Sequence, residues 1–129
     1  MSFTARPTMG LSMETTPENQ DPFCEACQPD ALVIDAAQLS GFLASASDWE
    51  VRTDDTRRYL SATFKFGNFA EAYAYGARVA ALADEHGHHP RITIEYGRAT
   101  IEWWSHKIGD IHALDVELAG LTQELSVSG

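Results

Sequence analysis

The sequence predicts an α+β fold: a four-stranded antiparallel sheet with three helices packed on one face, in the order α-β-β-α-β-β-α. Three observations carry this. Two pairs of segments alternate polar and apolar residues, a long stretch of helical periodicity separates the pairs, and a shorter striped stretch lies at either end. In "VIDAAQLSGFLAS", Asp35 has N-cap chemistry with Gln38 three residues on, and Ile34, Leu39, Phe42 and Leu43 form one apolar stripe. "DWEVRT" and "RRYLSATFKF" follow as a hairpin, with Asp54 and Asp55 at the turn; Leu60, Ala62, Phe64 and Phe66 alternate with Tyr59, Ser61, Thr63 and Lys65. "NFAEAYAYGARVAALADEHG" opens with Asn68 and Glu71 in capping-box spacing and ends at Gly87. Its expected core stripe is Phe69, Ala72, Tyr73, Gly76, Val79, Ala80 and Ala83, and the small residues Ala72, Gly76 and Ala80 suit close approach to a sheet. "RITIEY", Gly97 and "RATIEWW" make a second hairpin, and "DIHALDVELAGLTQEL" closes the chain with Ile111, Leu114, Leu118 and Leu121 on one stripe.

The domain is expected over residues 30–129, preceded by a flexible arm over 1–29, where four prolines and few aliphatic residues leave little to bury. Cys24 and Cys27, in "CEAC", are the two cysteines. No second pair completes a four-ligand zinc site, and the polar leader is unlike the strand-to-helix junction of a redox CxxC, so two reduced thiols near a flexible end are expected. A net charge of -10 argues against nucleic acid as a partner. The sequence has no apolar run of about 20 residues to span a membrane and no signal-like apolar core at its start, so a cytoplasmic protein is expected. The open face and edge strands of such a sheet suit a homo-oligomer.

Three of five histidines stand within "EHGHHP". His88 and His89 fall between the long helix and the third strand, and His106 follows the fourth. The antiparallel hairpin between them returns His106 to the neighbourhood of His88 and His89. Imidazoles so gathered suit proton transfer near neutral pH, with Asp84 or Asp115 available to fix a tautomer. Pro90 forces the helix to end and holds His89 extended. A metal site built from His86, His88, His89, His106 and Asp115 is equally open to these residue types, although no compact metal motif is present. Trp103 shares phase with Ile101 and belongs to the core. Trp104 must face the other way, more exposed, and Trp49 is either core or the wall of a pocket.

Asp84, three residues, "HHP" at 88–90, five residues, Tyr96, nine residues, His106, eight residues and Asp115 form an ordered set. With "DW" at Asp48 and Trp49, "FKFGNFAEA" and "WWSHKI", it resembles the pterin-4a-carbinolamine dehydratase family over about residues 24–125. The resemblance implies dehydration of 4a-hydroxytetrahydropterin to quinonoid dihydropterin, with no cofactor and no metal. His88 and His106 would be the acid and base, and His89 would bind and orient the pterin. Asp84, Trp49 and Asp115 would complete the substrate site, Asp115 by holding its histidine. The implied partners are the pterin substrate, a homodimer or homotetramer, and an aromatic amino acid hydroxylase that supplies the substrate. A non-catalytic scaffold, acting as a dimerisation partner or a Rubisco assembly factor, is the alternative that this fold carries. The sequence departs from the family pattern at Asp110, where Gly is common, at Leu114, usually polar, and at Asp84, where Glu is frequent.

Overall fold

A computed structural model describes residues 24–128 of the 129-residue chain. Of the expected arm, residues 1–23 lie outside the described residues. Residues 24–29 do not behave as an arm: a 3-10 turn, Glu25–Cys27, buries Cys24, Ala26 and Cys27 with Leu114 packed against them.

The elements that follow are α1 (Ala36–Ser45), β1 (Trp49–Thr53), β2 (Arg58–Lys65), α2 (Phe69–His86), β3 (Arg91–Glu95), β4 (Arg98–Trp103) and α3 (Ala113–Ser128). The strands form one antiparallel sheet in the order β1-β2-β4-β3, so β1 and β3 are its edges. The alternation read from the sequence sorts the two faces. Leu60, Ala62, Phe64, Ala99, Ile101 and Trp103 are buried in the core beneath the helices. The other face carries polar pairs: Thr63 with Thr100, and Glu102 with Ser61 and Arg91. Among the described residues no helix is long and apolar enough to cross a membrane.

The caps form as the sequence specifies. The Asp35 side chain accepts from Gln38 N at 3.2 Å, and Asn68 Oδ1 accepts from Glu71 N at 2.8 Å. Glu71 Oε1 reaches back to Gly67 N at 3.0 Å, a capping box displaced by one residue. Gly97, at φ 73, makes the two-residue turn of the second hairpin.

Two further expectations change. The core face of α2 is Ala72, Tyr75, Gly76, Val79 and Ala83, whereas Phe69, Tyr73 and Ala80 are exposed. Tyr75 is drawn inward because its hydroxyl donates to the Thr122 carbonyl at 2.7 Å, and burial raises its pKa well above the ordinary phenol value. Gly76 does allow the expected close approach: a Cβ there would meet Ile94 Cδ1 at 2.7 Å. Trp104, expected to be exposed, retains only 7% of its surface, since Arg57 lies 4.4 Å over its ring and Tyr59 and Arg91 pack beside it. Trp103 is fully buried as expected, and its indole donates to Thr122 Oγ1 at 3.0 Å.

Candidate active site

The end of α2 aims the first histidine inward. Gly87 takes φ 66, its N–H bonds to the Asp84 carbonyl, and His88 N–H bonds back to the Ala83 carbonyl. This is a Schellman closure, which only a residue tolerant of the left-handed region allows cheaply. The chain therefore turns sharply between His86 and His88, and the His88 side chain enters the core instead of following the helix.

His88 has no exposed surface. Its ring stacks on Trp103 at 5.9 Å, and its Nε2 lies 2.6 Å from Asp115 Oδ1. Asp115, equally buried, also accepts from Ser105 Oγ at 2.6 Å and from His112 N–H at 2.9 Å, both on Oδ2. Three donors on two oxygens suit an ionised carboxylate. Because the carboxylate only accepts, His88 carries a proton on Nε2, and in the neutral ring Nδ1 keeps its lone pair. That lone pair faces sulfur: Cys27 Sγ at 3.4 Å and Cys24 Sγ at 3.7 Å.

The other two histidines lie nearer solvent. His89 Nε2 is 3.0 Å from Asp84 Oδ1, with both side chains partly exposed, while His89 Nδ1 is buried without a hydrogen-bond partner among the described residues. His106 stands in the loop after β4, which Ser105 and Asp110 close by a backbone bridge. Its Nε2 donates to the His89 carbonyl at 3.2 Å, so the antiparallel return predicted from the sequence does bring the two together. Its ring lies 4.7 Å from Trp104. Partial desolvation of that ring holds its pKa below the ordinary imidazole value, against the raising effect of its bond to the His89 carbonyl. The residue as a whole is exposed, so the shift reports the ring's contact side. A neutral imidazole donating through Nε2 keeps a basic lone pair on Nδ1.

The structure thus brings together Asp84, His88, His89, His106 and Asp115. Trp49 is not among them: it is core, 4% exposed, between Phe42 and Phe64, and donates to Gln123 Oε1 at 3.0 Å. The proton-transfer role expected for His88 does not fit its placement, because Nε2 is held by Asp115, Nδ1 faces the two sulfurs and the side chain is buried. His86 turns away from the cluster and bonds to the Leu82 carbonyl at 3.0 Å. The expectation of free thiols also fails, since Cys24 and Cys27 form a disulfide.

Ser105 and His112 belong to the site's support and were not anticipated. His112 acts as an N-cap for α3, its Nδ1 accepting from Leu114 N–H at 2.9 Å while Asp115 reaches back to its backbone. The spacing of a cap from an acidic third residue was present at 112 and 115, but histidine is an uncommon cap. Asp110, a departure from the family pattern, has a local purpose: Oδ1 receives Arg58 Nε at 2.6 Å and Ile111 N–H at 2.8 Å.

An α+β sheet with one face covered by helices, and histidines gathered where the third strand begins and the fourth ends, defines the class of protein. Residues 33–125 match the family model for pterin 4 alpha carbinolamine dehydratase, and the chain belongs to that family. It is 44% identical over 102 residues to a protein of Nitrosococcus oceani, covering 79% of this chain and 90% of that one. A relative from Marinobacter nauticus is 41% identical over 102 residues, covering 79% and 92%. Both are named provisionally as pterin-4-alpha-carbinolamine dehydratases. Among solved structures, the fold is similar to that of a transcriptional coactivator/pterin dehydratase from Brucella melitensis, with a TM-score of 0.63 at 22% identity, covering 74% of this chain and 99% of that one. It is also similar to a pterin dehydratase-like protein described as a RuBisCO assembly factor in the alpha-carboxysome, with a TM-score of 0.51 at 24% identity, covering 61% and 89%.

Proposed function

We propose that the protein dehydrates 4a-hydroxytetrahydropterin to quinonoid dihydropterin, and that the chemistry is carried by histidines without a redox change. The reaction removes the C4a hydroxyl as water and the proton from the neighbouring ring nitrogen, so it needs one proton donor and one acceptor within reach of a flat heterocycle. The observation that carries the reading is the bond of His106 Nε2 to the His89 backbone carbonyl, which sets two partly exposed histidines side by side, with the pKa of the first held below the ordinary imidazole value. His106 is assigned as the base that accepts the ring-nitrogen proton. His89, oriented by Asp84, is assigned to bind the pterin and deliver the proton to the departing hydroxyl. His88 and Asp115 are positioning residues: they anchor the segment from which His89 projects, and Asp115 ties Ser105, directly before His106, to the same anchor.

The reading includes a cytoplasmic protein that serves an aromatic amino acid hydroxylase, and a homodimer or homotetramer built through β1 and β3, the edge strands of the sheet among the described residues. A purely scaffolding protein would gain nothing from an imidazole of lowered pKa bonded to the main chain of a second, carboxylate-held histidine, which favours the enzyme. The test is the rate of water loss from 4a-hydroxytetrahydropterin generated in place by a hydroxylase. The wild type should exceed buffer, and His106→Ala and His89→Ala should each lower the rate by roughly 10²-fold or more, the usual contribution of a positioned acid or base. A wild-type rate equal to buffer overturns the proposal.

A further inference from the structure

Beyond the dehydratase reading, we infer that Cys24, Cys27 and His88 form a binding site for a thiophilic divalent cation of the Zn²⁺ class, open when the cysteines are reduced and closed when they are joined. The two sulfurs and His88 Nδ1 all lie within 4.8 Å of one another, and all three residues are buried. Their separations already suit a shared ion. Zinc–sulfur and zinc–nitrogen bonds of about 2.3 and 2.05 Å at tetrahedral angles put a sulfur about 3.6 Å from the nitrogen. The observed values, 3.4 Å to Cys27 and 3.7 Å to Cys24, straddle that length. Only the two sulfurs must separate, to about 3.8 Å, as opening their bond permits.

The imidazole is prepared for the same task. Asp115 accepts a hydrogen bond from Nε2–H, so in the neutral ring Nδ1 is the unprotonated nitrogen, aimed at the sulfurs. A histidine ligand whose second nitrogen donates to a carboxylate is the usual arrangement behind a bound zinc, where it fixes the tautomer and raises ligand basicity. Here the carboxylate is itself held by Ser105 and His112, so the ligand's direction is set from α3 and from the end of β4. Three protein ligands leave the fourth corner to a small exogenous one.

The two states are related by a balanced exchange. A dithiol reductant transfers two electrons and two protons to the Cys24–Cys27 bond, giving two thiols and the reductant's own disulfide. The cation then displaces both thiol protons and binds two thiolates and the His88 lone pair. In a reducing cytoplasm, which is part of the function proposed above, a CxxC pair is more often metal-binding or redox-active than a permanent staple.

Cobalt(II) is the probe, because thiolate ligation gives it a charge-transfer band that carboxylate or water ligation does not. Full-length protein reduced with excess dithiothreitol, then freed of it without air, should bind one equivalent of Co²⁺ with that band and lose it to one equivalent of Zn²⁺. The same protein oxidised beforehand should show no band. Cys27→Ser should weaken binding at least about 100-fold, and Asp115→Asn, which reverses the His88 tautomer, about 10–100-fold. A reduced wild type without the band overturns the inference, as does a band that persists in the oxidised protein; neither comparison depends on a variant folding. Equal affinity in Cys27→Ser and wild type overturns it too. These readouts are optical, so a protein inactive as a dehydratase would still decide the question.

Discussion

Asp115 is the residue on which the site's architecture converges, and two substitutions separate its charge from its shape. Asp115→Ala removes the acceptor of three buried donors, His88 Nε2–H, Ser105 Oγ–H and His112 N–H, at a position with no exposed surface. Each unsatisfied buried donor costs about 1–3 kcal/mol, although the hydroxyl can rotate toward another acceptor. With the hydroxyl re-paired and two donors left unsatisfied, a loss of about 2–6 kcal/mol is expected. Asp115→Asn has another course open to it. With its remaining oxygen toward Ser105 and His112, the amide NH₂ faces His88, which can move its proton to Nδ1 and accept at Nε2. All contacts to residue 115 survive, a neutral acceptor replaces a charged one, and the expected loss is about 1–2 kcal/mol. Urea unfolding followed by tryptophan fluorescence measures both, Trp103 being stacked on His88. Equal losses in the two variants, or a loss below about 1 kcal/mol in the alanine variant, would refute the claim that this carboxylate organises the site through its hydrogen bonds.

Two further consequences can be measured. The folded pKa of His106 lies below the unfolded value of about 6.5, so the unfolded chain takes up that proton first. Its contribution to stability is complete above about pH 6.5 and is lost as pH falls through the folded value; a proton NMR titration should show one histidine midpoint below the ordinary value, absent from His106→Gln. Asp110→Gly, which restores the commoner family residue, removes the 2.6 Å ion pair with the partly exposed Arg58. It should cost about 1 kcal/mol in urea unfolding, the upper end for such a pair, and a variant as stable as wild type would show that Asp110 has no structural purpose.

Local chemistry made most of the fold legible. Asp35, Asn68 and Gly87 mark helix ends with side chains and backbone that need only their near neighbours, and strand alternation sorts the faces of the sheet without knowledge of the partner strand. What the sequence hid was decided at long range. In "AEAYAYGA", Tyr73 and Tyr75 are two residues apart, about 200° around a helix, so only one can face the core. Nothing in the run says which. The choice falls to the Thr122 carbonyl on α3, which offers the Tyr75 hydroxyl an acceptor. Trp104 is a similar case, since period-two alternation correctly turns it from the core but cannot foresee that Arg57 and Arg91 will cover it.

The histidine cluster shows a finer limit of the same kind. Spacing brought His88, His89 and His106 together, and the ordered motif named them as a set, yet a motif treats their imidazoles as equivalent. Their surroundings do not. His88 lies between a carboxylate and two sulfurs with no surface, whereas His106 faces solvent with one nitrogen donated to a carbonyl and the other uncommitted. The residues that make this difference are a CEAC turn sixty-one positions before His88, in a segment whose prolines and polar residues read as a loose arm, and an aspartate on the last helix. Composition judged the turn by its own neighbours, and by that standard it had nothing to bury. The reason for its order lies in the core it covers. Hence His88, which the motif sets level with its neighbours, is the one least able to touch a substrate in this state, and the chemistry is best sought at His89 and His106.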